Sequence, residues 1–158
     1  MLHYFVMKQQ TGRVQEILAH PNVKLDVVRQ TDGYTALHIA AQVGSADMIA
    51  LLIDAGIDKE ARAFAPEERP IHVAVRAGAI SAVKKLVELG ASVNSLDGGR
   101  NTPLHIAAER NPIDLTMIEL LLDLGADRDV QNMSRKTPAE VIRDTGTAGA
   151  EARTLLTP

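Results

Sequence analysis

Of the five histidines in this 158-residue chain, His38, His72 and His105 are the ones whose placement invites chemistry. Three imidazoles are a common zinc ligand set, provided each ring nitrogen comes within about 2.0–2.1 Å of one ion. The chain has no cysteine, so neither a disulfide framework nor a thiolate site is available. No serine lies in a nucleophile elbow and no Gly-rich loop ends in Lys-Ser or Lys-Thr. No pair of carboxylates is singled out by its spacing either. The imidazoles are therefore the whole catalytic case, and their surroundings decide it.

Each of the three stands in the same kind of block. Thr35-Ala36-Leu37-His38-Ile39-Ala40-Ala41 is followed by Gly44, by Met48-Ile49-Ala50-Leu51-Leu52 and by Gly56. Arg69-Pro70-Ile71-His72-Val73-Ala74 leads to Gly78, Leu86-Val87 and Gly90. Thr102-Pro103-Leu104-His105-Ile106-Ala107-Ala108 leads to Ile118-Glu119-Leu120-Leu121-Leu122 and Gly125, and Thr137-Pro138-Ala139-Glu140-Val141-Ile142 is a degraded fourth copy. The blocks start 34, 33 and 35 residues apart, and a fixed period of that size marks a solenoid. Equivalent residues then lie on successive parallel helices, whose axes are about 8–10 Å apart. Side chains that point the same way along such a ladder cannot converge on one zinc. The histidines read as structural, and no enzyme is expected.

The blocks resemble the ankyrin repeat family, in the run Thr-Pro-Leu-His-x-Ala-Ala followed by Leu-Leu-x-x-Gly-Ala. The likeness covers residues 30 to about 145, and nearly the whole chain once a capping half-match is added at each end. It implies a mainly α solenoid of stacked helix-turn-helix units with β-hairpin-like fingers, about five helix pairs including caps. It further implies a non-catalytic protein-binding scaffold without a cofactor, in which each imidazole bonds its own repeat's Thr and adjacent backbone. One domain over 1–158 divides into an N-terminal cap (1–29), three repeats (30–62, 63–96, 97–131) and a C-terminal cap (132–158). Some members are hydroxylated on an asparagine placed like Asn94, although finger hydrogen bonding is the plainer role for that side chain.

Local signals agree with this arrangement. Val14, Ile17 and Leu18 lie on one stripe of a capping helix pair over residues 2 to about 20. Asp32-Gly33 makes a finger tip, Thr35 is an N-cap, and Pro103 and Pro138 suit a first helical position. Gly56, Gly90 and Gly125 fit left-handed caps at the ends of outer helices. Arg69 breaks the pattern, since it replaces the capping Thr, a change worth about 1 kcal/mol. The repeat it opens is the expected weak link, His72 the expected loosest tie, and Arg69→Thr should raise the melting temperature. Phe64 sits in a finger one residue longer than the first, where packing on the neighbouring finger is weighed against partner contact. The stretch Glu109 to Asp114 carries two extra residues between helices. A short acid-tipped helix near Ala148 to Leu156 closes the stack.

Charge points to the class of partner. The net charge of -3 gives no general affinity for nucleic acid or anionic membrane, and no apolar run approaches spanning length. Leu2 to Met7 is too short for a signal-peptide core, so a cytoplasmic monomer is the expectation, with the nucleus or delivery into a host cell as other settings. Asn132-Met133-Ser134 fits a glycosylation pattern and reads as chance without such a signal. By register, the groove side holds Arg29, Arg69, Arg76, Arg100, Arg110, Arg135, Lys136 and Arg143 against Asp32, Glu67, Glu68, Asp97, Glu109 and Asp144. Tyr34, Gln42, Val43, Phe64 and Met133 lie among them, and Arg76, Arg110 and Arg143 fall near the ends of successive inner helices. Arginine and tyrosine are favoured at binding hot spots, so the expected partner is a protein with an acidic or mixed acidic-apolar surface. The competing reading is that these arginines only pair with the neighbouring acids. A stand-alone inhibitor that occludes an enzyme or transcription factor is the alternative to an adaptor.

Overall fold

A computed structural model describes residues 1–157; Pro158, the last residue assigned to the C-terminal cap, lies outside them. Among the described residues there are nine α-helices, one 3-10 turn and no strand. The helices are α1 (Leu2–Met7), α2 (Thr11–Leu18), α3 (Ala36–Val43), α4 (Ala46–Asp54), α5 (Pro70–Ala77), α6 (Ile80–Glu88), α7 (Pro103–Glu109), α8 (Leu115–Asp123) and α9 (Thr147–Leu156). The 3-10 turn spans Ala139–Val141 and stands before α9. Inner helices form one file, α1 against α3, α3 against α5 and α5 against α7, and α7 meets the 3-10 turn at the end. Each inner helix also packs on its own outer helix, and α4 lies on α6.

The apolar spacing accounts for this file. Leu37 and Ile39 of α3 are buried together with Ala40 and Ala41, whose small side chains allow close approach of the neighbouring helix. Met48, Ile49 and Leu52 of α4 and Met117, Ile118 and Leu121 of α8 are fully buried on one stripe of each outer helix. Burying a side chain of that size contributes roughly 1.5–3 kcal/mol relative to leaving it in water. The strip runs unbroken from Val6 and Val14 in the first pair to Ala152 and Leu156 in the last.

The fingers are hairpin-like turns closed by backbone bonds. Arg29 N–H donates to Tyr34 O (2.8 Å), Ala63 to Glu68 O (2.9 Å), Asp97 to Asn101 O (3.0 Å) and Asn132 to Lys136 O (3.0 Å). Neighbouring fingers are joined edge to edge. Phe64 N–H donates to Asp32 O at 2.8 Å, Gly98 to Pro66 O at 2.7 Å, and Met133 to Gly99 O at 2.9 Å. Gly33, with φ +75°, lets the second finger come this close: a Cβ there would stand 2.5 Å from Phe64 Cδ1 and 2.6 Å from its amide nitrogen.

The fourth block departs from a full inner helix. After one 3-10 turn the chain becomes extended at Ile142 (φ -63°, ψ 118°). Asp144, Thr145 and Gly146 follow, turn-forming residues that favour leaving a helix.

Candidate interaction surface

His38, His72 and His105 all use Nδ1 to accept the N–H of the residue three positions earlier, at 3.2 Å in each case. That leaves Nε2 as the N–H, an assignment made from the hydrogen-bond network. His38 Nε2 donates to Glu68 O at 3.0 Å and His105 Nε2 to Lys136 O at 2.9 Å, each in the next finger. Burial holds all three imidazoles below their ordinary pKa, against the opposing pull of the carbonyls and of nearby carboxylates. They are neutral rivets between repeats.

His72, expected to be the loosest rivet, lacks the threonine hydroxyl that stands 2.9 and 2.8 Å from Nδ1 of His38 and His105. Its Nε2 faces two carbonyls, Ser95 O and Asn101 O, both at 3.1 Å. A guanidinium has no acceptor, so Arg69 cannot cap α5 as Thr does. Its backbone carbonyl takes the His72 N–H instead, at 3.0 Å. The Arg69 side chain is used elsewhere. Nη1 donates to Glu60 Oε2 (2.8 Å) and Glu60 O (3.1 Å), and Nε to Leu96 O (3.4 Å). Arg69 thus joins the stretch before its own finger to the finger after it. In the fourth block Glu140 Oε2 accepts the Thr137 N–H at 2.8 Å, which reproduces the local half of the histidine's task.

Glu68 is the centre of the N-terminal part of the groove. Its side chain is only 6% exposed and pairs with the Nε and Nη2 of Arg76, whose own side chain is 55% exposed. Tyr34 Oη donates to Glu68 Oε2 at 3.3 Å, and its ring stacks on His38 with centroids 5.0 Å apart. Arg29 pairs with Asp32, which holds the Asp32 carboxyl below its ordinary pKa, and its guanidinium lies 5.2 Å over the Tyr34 ring. Gln42 is exposed on α3 and Val43 half-buried at its end. The Phe64 ring lies against Gly33 of the first finger and is still half exposed.

Arg76, Arg110 and Arg143 do stand at the ends of successive inner elements, and each has an acceptor within the protein. Arg110 folds back so that Nη1 donates to Val75 O (2.9 Å), near the C-terminus of α5 where free carbonyls favour a cation. Gly78, with φ +71°, keeps that space open, because a Cβ would lie 2.9 Å from Arg110 Nη1. Arg143 pairs with Glu109 at 2.8 Å in an exposed contact. Reversing Arg76 or Arg110 would therefore disturb the fold as well as the surface, so neither gives a clean test of binding.

Two hollows lie side by side on this face. One of about 150 Å³ is walled by Arg76, Ile106, Glu109 and Arg110. The other, about 400 Å³, opens where the fourth inner helix gives out and is lined by Asn101, Glu109, Asn132, Lys136, Glu140 and Arg143, among others. Asn132 Nδ2 donates to Asn101 Oδ1 at 2.9 Å on its finger side. Arg100, Arg135 and the 70%-exposed Met133 belong to the same two fingers as its Asn101, Asn132 and Lys136. Neither the second hollow nor the Asn pair follows from the repeat pattern; the turn residues after Val141 were the available signal. Asn94, on the finger base, donates to Gly125 O (3.2 Å) and accepts from Asp127 N–H (2.9 Å), so its amide joins adjacent repeats.

Among the described residues no helix is long and apolar enough to cross a membrane. A family model described as ankyrin repeats (3 copies) matches residues 1–63 and 62–132. The chain is 32% identical over 116 residues to the B-cell lymphoma 3 protein homolog of Mus musculus, covering 73% of this chain and 25% of that protein. It is 34% identical over 110 residues to the E3 ubiquitin-protein ligase KEG of Arabidopsis thaliana, covering 66% and 7%. To the human ankyrin repeat and SOCS box protein 6 it is 32% identical over 120 residues, covering 73% and 28%. The chain thus spans between 7% and 28% of the length of these relatives. Ankyrin repeats are a protein-interaction fold, generally without enzymatic activity. Period, stacked helix pairs, histidine rivets and matched residues agree, and the chain belongs to the ankyrin repeat family.

Proposed function

We propose that this chain binds a partner protein through its groove and finger ridge, without chemistry of its own, and that the partner surface is acidic or mixed acidic-apolar. The observation that carries this is the ridge. Backbone bonds from finger to finger hold the exposed Phe64 and Met133 on one pre-ordered edge beside the groove. A surface ordered before binding loses little entropy when a partner docks, and exposed apolar anchors beside charged groups suit a protein partner. The relatives support the reading in a second way, because otherwise different proteins share this module over only part of their length.

The test is affinity capture from the native source with the wild-type chain, repeated with Phe64→Ala and with Asp54→Asn/Asp123→Asn on the outer helices. The finger variant should lose the captured partner and the outer-helix variant keep it. The opposite pattern would overturn the reading. Measuring the captured partner's own activity with and without this chain separates an adaptor, which leaves it intact, from an inhibitor, which lowers it.

A further inference from the structure

The structure points to a specific subsite in this surface: we propose that the hollow beyond α7, together with the third and fourth finger tips, receives an extended acidic peptide segment of the partner. The inference rests on the partner-binding reading above and locates it. Arg29, Arg62, Arg69, Arg76 and Arg143 each have a carboxylate partner within the protein. Among the described residues Arg100, Arg135 and Lys136 have none, and all three are exposed. Arg110, the other groove-side cation without a carboxylate, is engaged by Val75 O, so the free cations on the groove side lie in the third and fourth fingers.

The backbone gives an independent reason. The tip position two residues before each block is held by Gly33, Glu67, Arg100 and Arg135, all left-handed, with φ of 75°, 58°, 58° and 57°. Glycine takes that conformation freely, whereas a residue with a Cβ is strained by roughly 1–2 kcal/mol. Glu67 is paired with Arg62 at 2.8 Å. Arg100 and Arg135 show no such return within the chain, and backbone strain of this kind collects at binding sites.

Geometry decides the occupant. Equivalent positions on adjacent repeats lie about 10 Å apart, a distance an extended chain covers in about three residues. Two acidic side chains spaced that far apart would meet Arg100 and Arg135. Met133, between those tips in sequence and bonded through its N–H to Gly99 O at 2.9 Å, offers an apolar contact for the residue between them. The segment then descends past Lys136 into the 400 Å³ hollow. There Arg143, paired with Glu109 in an exposed contact, and the second N–H of Asn132 Nδ2 supply polar contacts, while Glu140, which accepts the Thr137 N–H, also lines the hollow.

The test uses labelled peptides with two acidic residues about three positions apart around one leucine, and a matched set with glutamine and asparagine in place of the acids. Binding is read by fluorescence anisotropy at low and physiological salt, with the wild-type chain, with Arg100→Gly/Arg135→Gly and with Lys136→Ala. The acidic set should bind more tightly than the neutral set and weaken as salt rises. The double variant should lose at least about tenfold in affinity, and Lys136→Ala about threefold. The double variant should also melt no lower than wild type, since glycine relaxes the tips. Equal binding of the two peptide sets, unchanged binding by the double variant, or a fall in its melting temperature would each overturn the proposal. A captured partner held equally by wild type and double variant would remove this subsite while leaving the partner-binding reading in place.

Discussion

Arg69→Thr puts local propensity and tertiary contact in direct competition. By helix rules alone the substitution restores a side-chain cap and adds about 1 kcal/mol. Little of that gain is open here, because the His72 N–H already donates to Arg69 O at 3.0 Å. In the two repeats that keep Thr, the hydroxyl stands 3.5 and 3.4 Å from the His N–H, and its short contact is to the His Nδ1 at 2.9 and 2.8 Å, an atom that at His72 already accepts the Arg69 N–H. The loss is larger. The guanidinium side chain is 17% exposed, and it donates to Glu60 Oε2, Glu60 O and Leu96 O. A hydrogen bond to a charged group contributes about 1.5–3 kcal/mol, less where water reaches it, as at Glu60, whose side chain is 29% exposed. Glu60 would keep one partner, the Ser92 N–H at 2.8 Å. The net expectation is a loss of about 1–2 kcal/mol, which lowers the melting temperature by about 3–6 °C for a chain of this size. Thermal unfolding followed by circular dichroism measures it, and a cycle with Glu60→Gln should return a coupling of about 1 kcal/mol. A rise in melting temperature for Arg69→Thr would refute the claim that the cross-repeat contacts outweigh the cap.

Two further predictions concern stability. Because burial holds the folded pKa values of His38, His72 and His105 below that of the unfolded chain, the unfolded state takes up protons first as pH falls. Their stabilising contribution is full above about pH 6.5 and lost as pH drops through that value, so melting at pH 5 should fall well below melting at pH 7.5; equal values would show that the imidazoles are not buried neutral. Arg76→Ala should destabilise by about 1–3 kcal/mol, as Glu68 is left buried with only Tyr34 Oη as a side-chain donor, and Arg76→Ala/Glu68→Gln should recover part of the loss. Chemical denaturation reads both, and an unchanged midpoint for the single variant would show that Glu68 does not depend on Arg76.

The repeats were legible in the sequence because their signals are local. Thr35 and His38, or Thr102 and His105, lie three residues apart on one turn, and the next finger arrives at a fixed period. Arg69 was misjudged for the opposite reason: its partners Glu60 and Leu96 lie 9 and 27 residues away, beyond any capping rule. Arg110 is similar, with an acceptor 35 residues away at Val75. Register alone placed both on the groove side and could not show that their charges were already engaged. The collapse of the fourth inner helix was foreshadowed by Glu140 and by Asp144-Thr145-Gly146. The hollow this creates depends on where the fourth finger and α7 stand, which only the stacked structure shows.

The account turns on the inner face and fingers of the stack, as opposed to its outer helices, meeting another protein. Hydrogen-exchange mass spectrometry of the chain with and without its captured partner tests this most directly. The account predicts new protection in the fingers, at 97–101 and 132–136, and along the groove through 139–143, with α4, α6 and α8 unchanged. Protection confined to α4, α6 and α8, with the fingers exchanging as in the free chain, would contradict it.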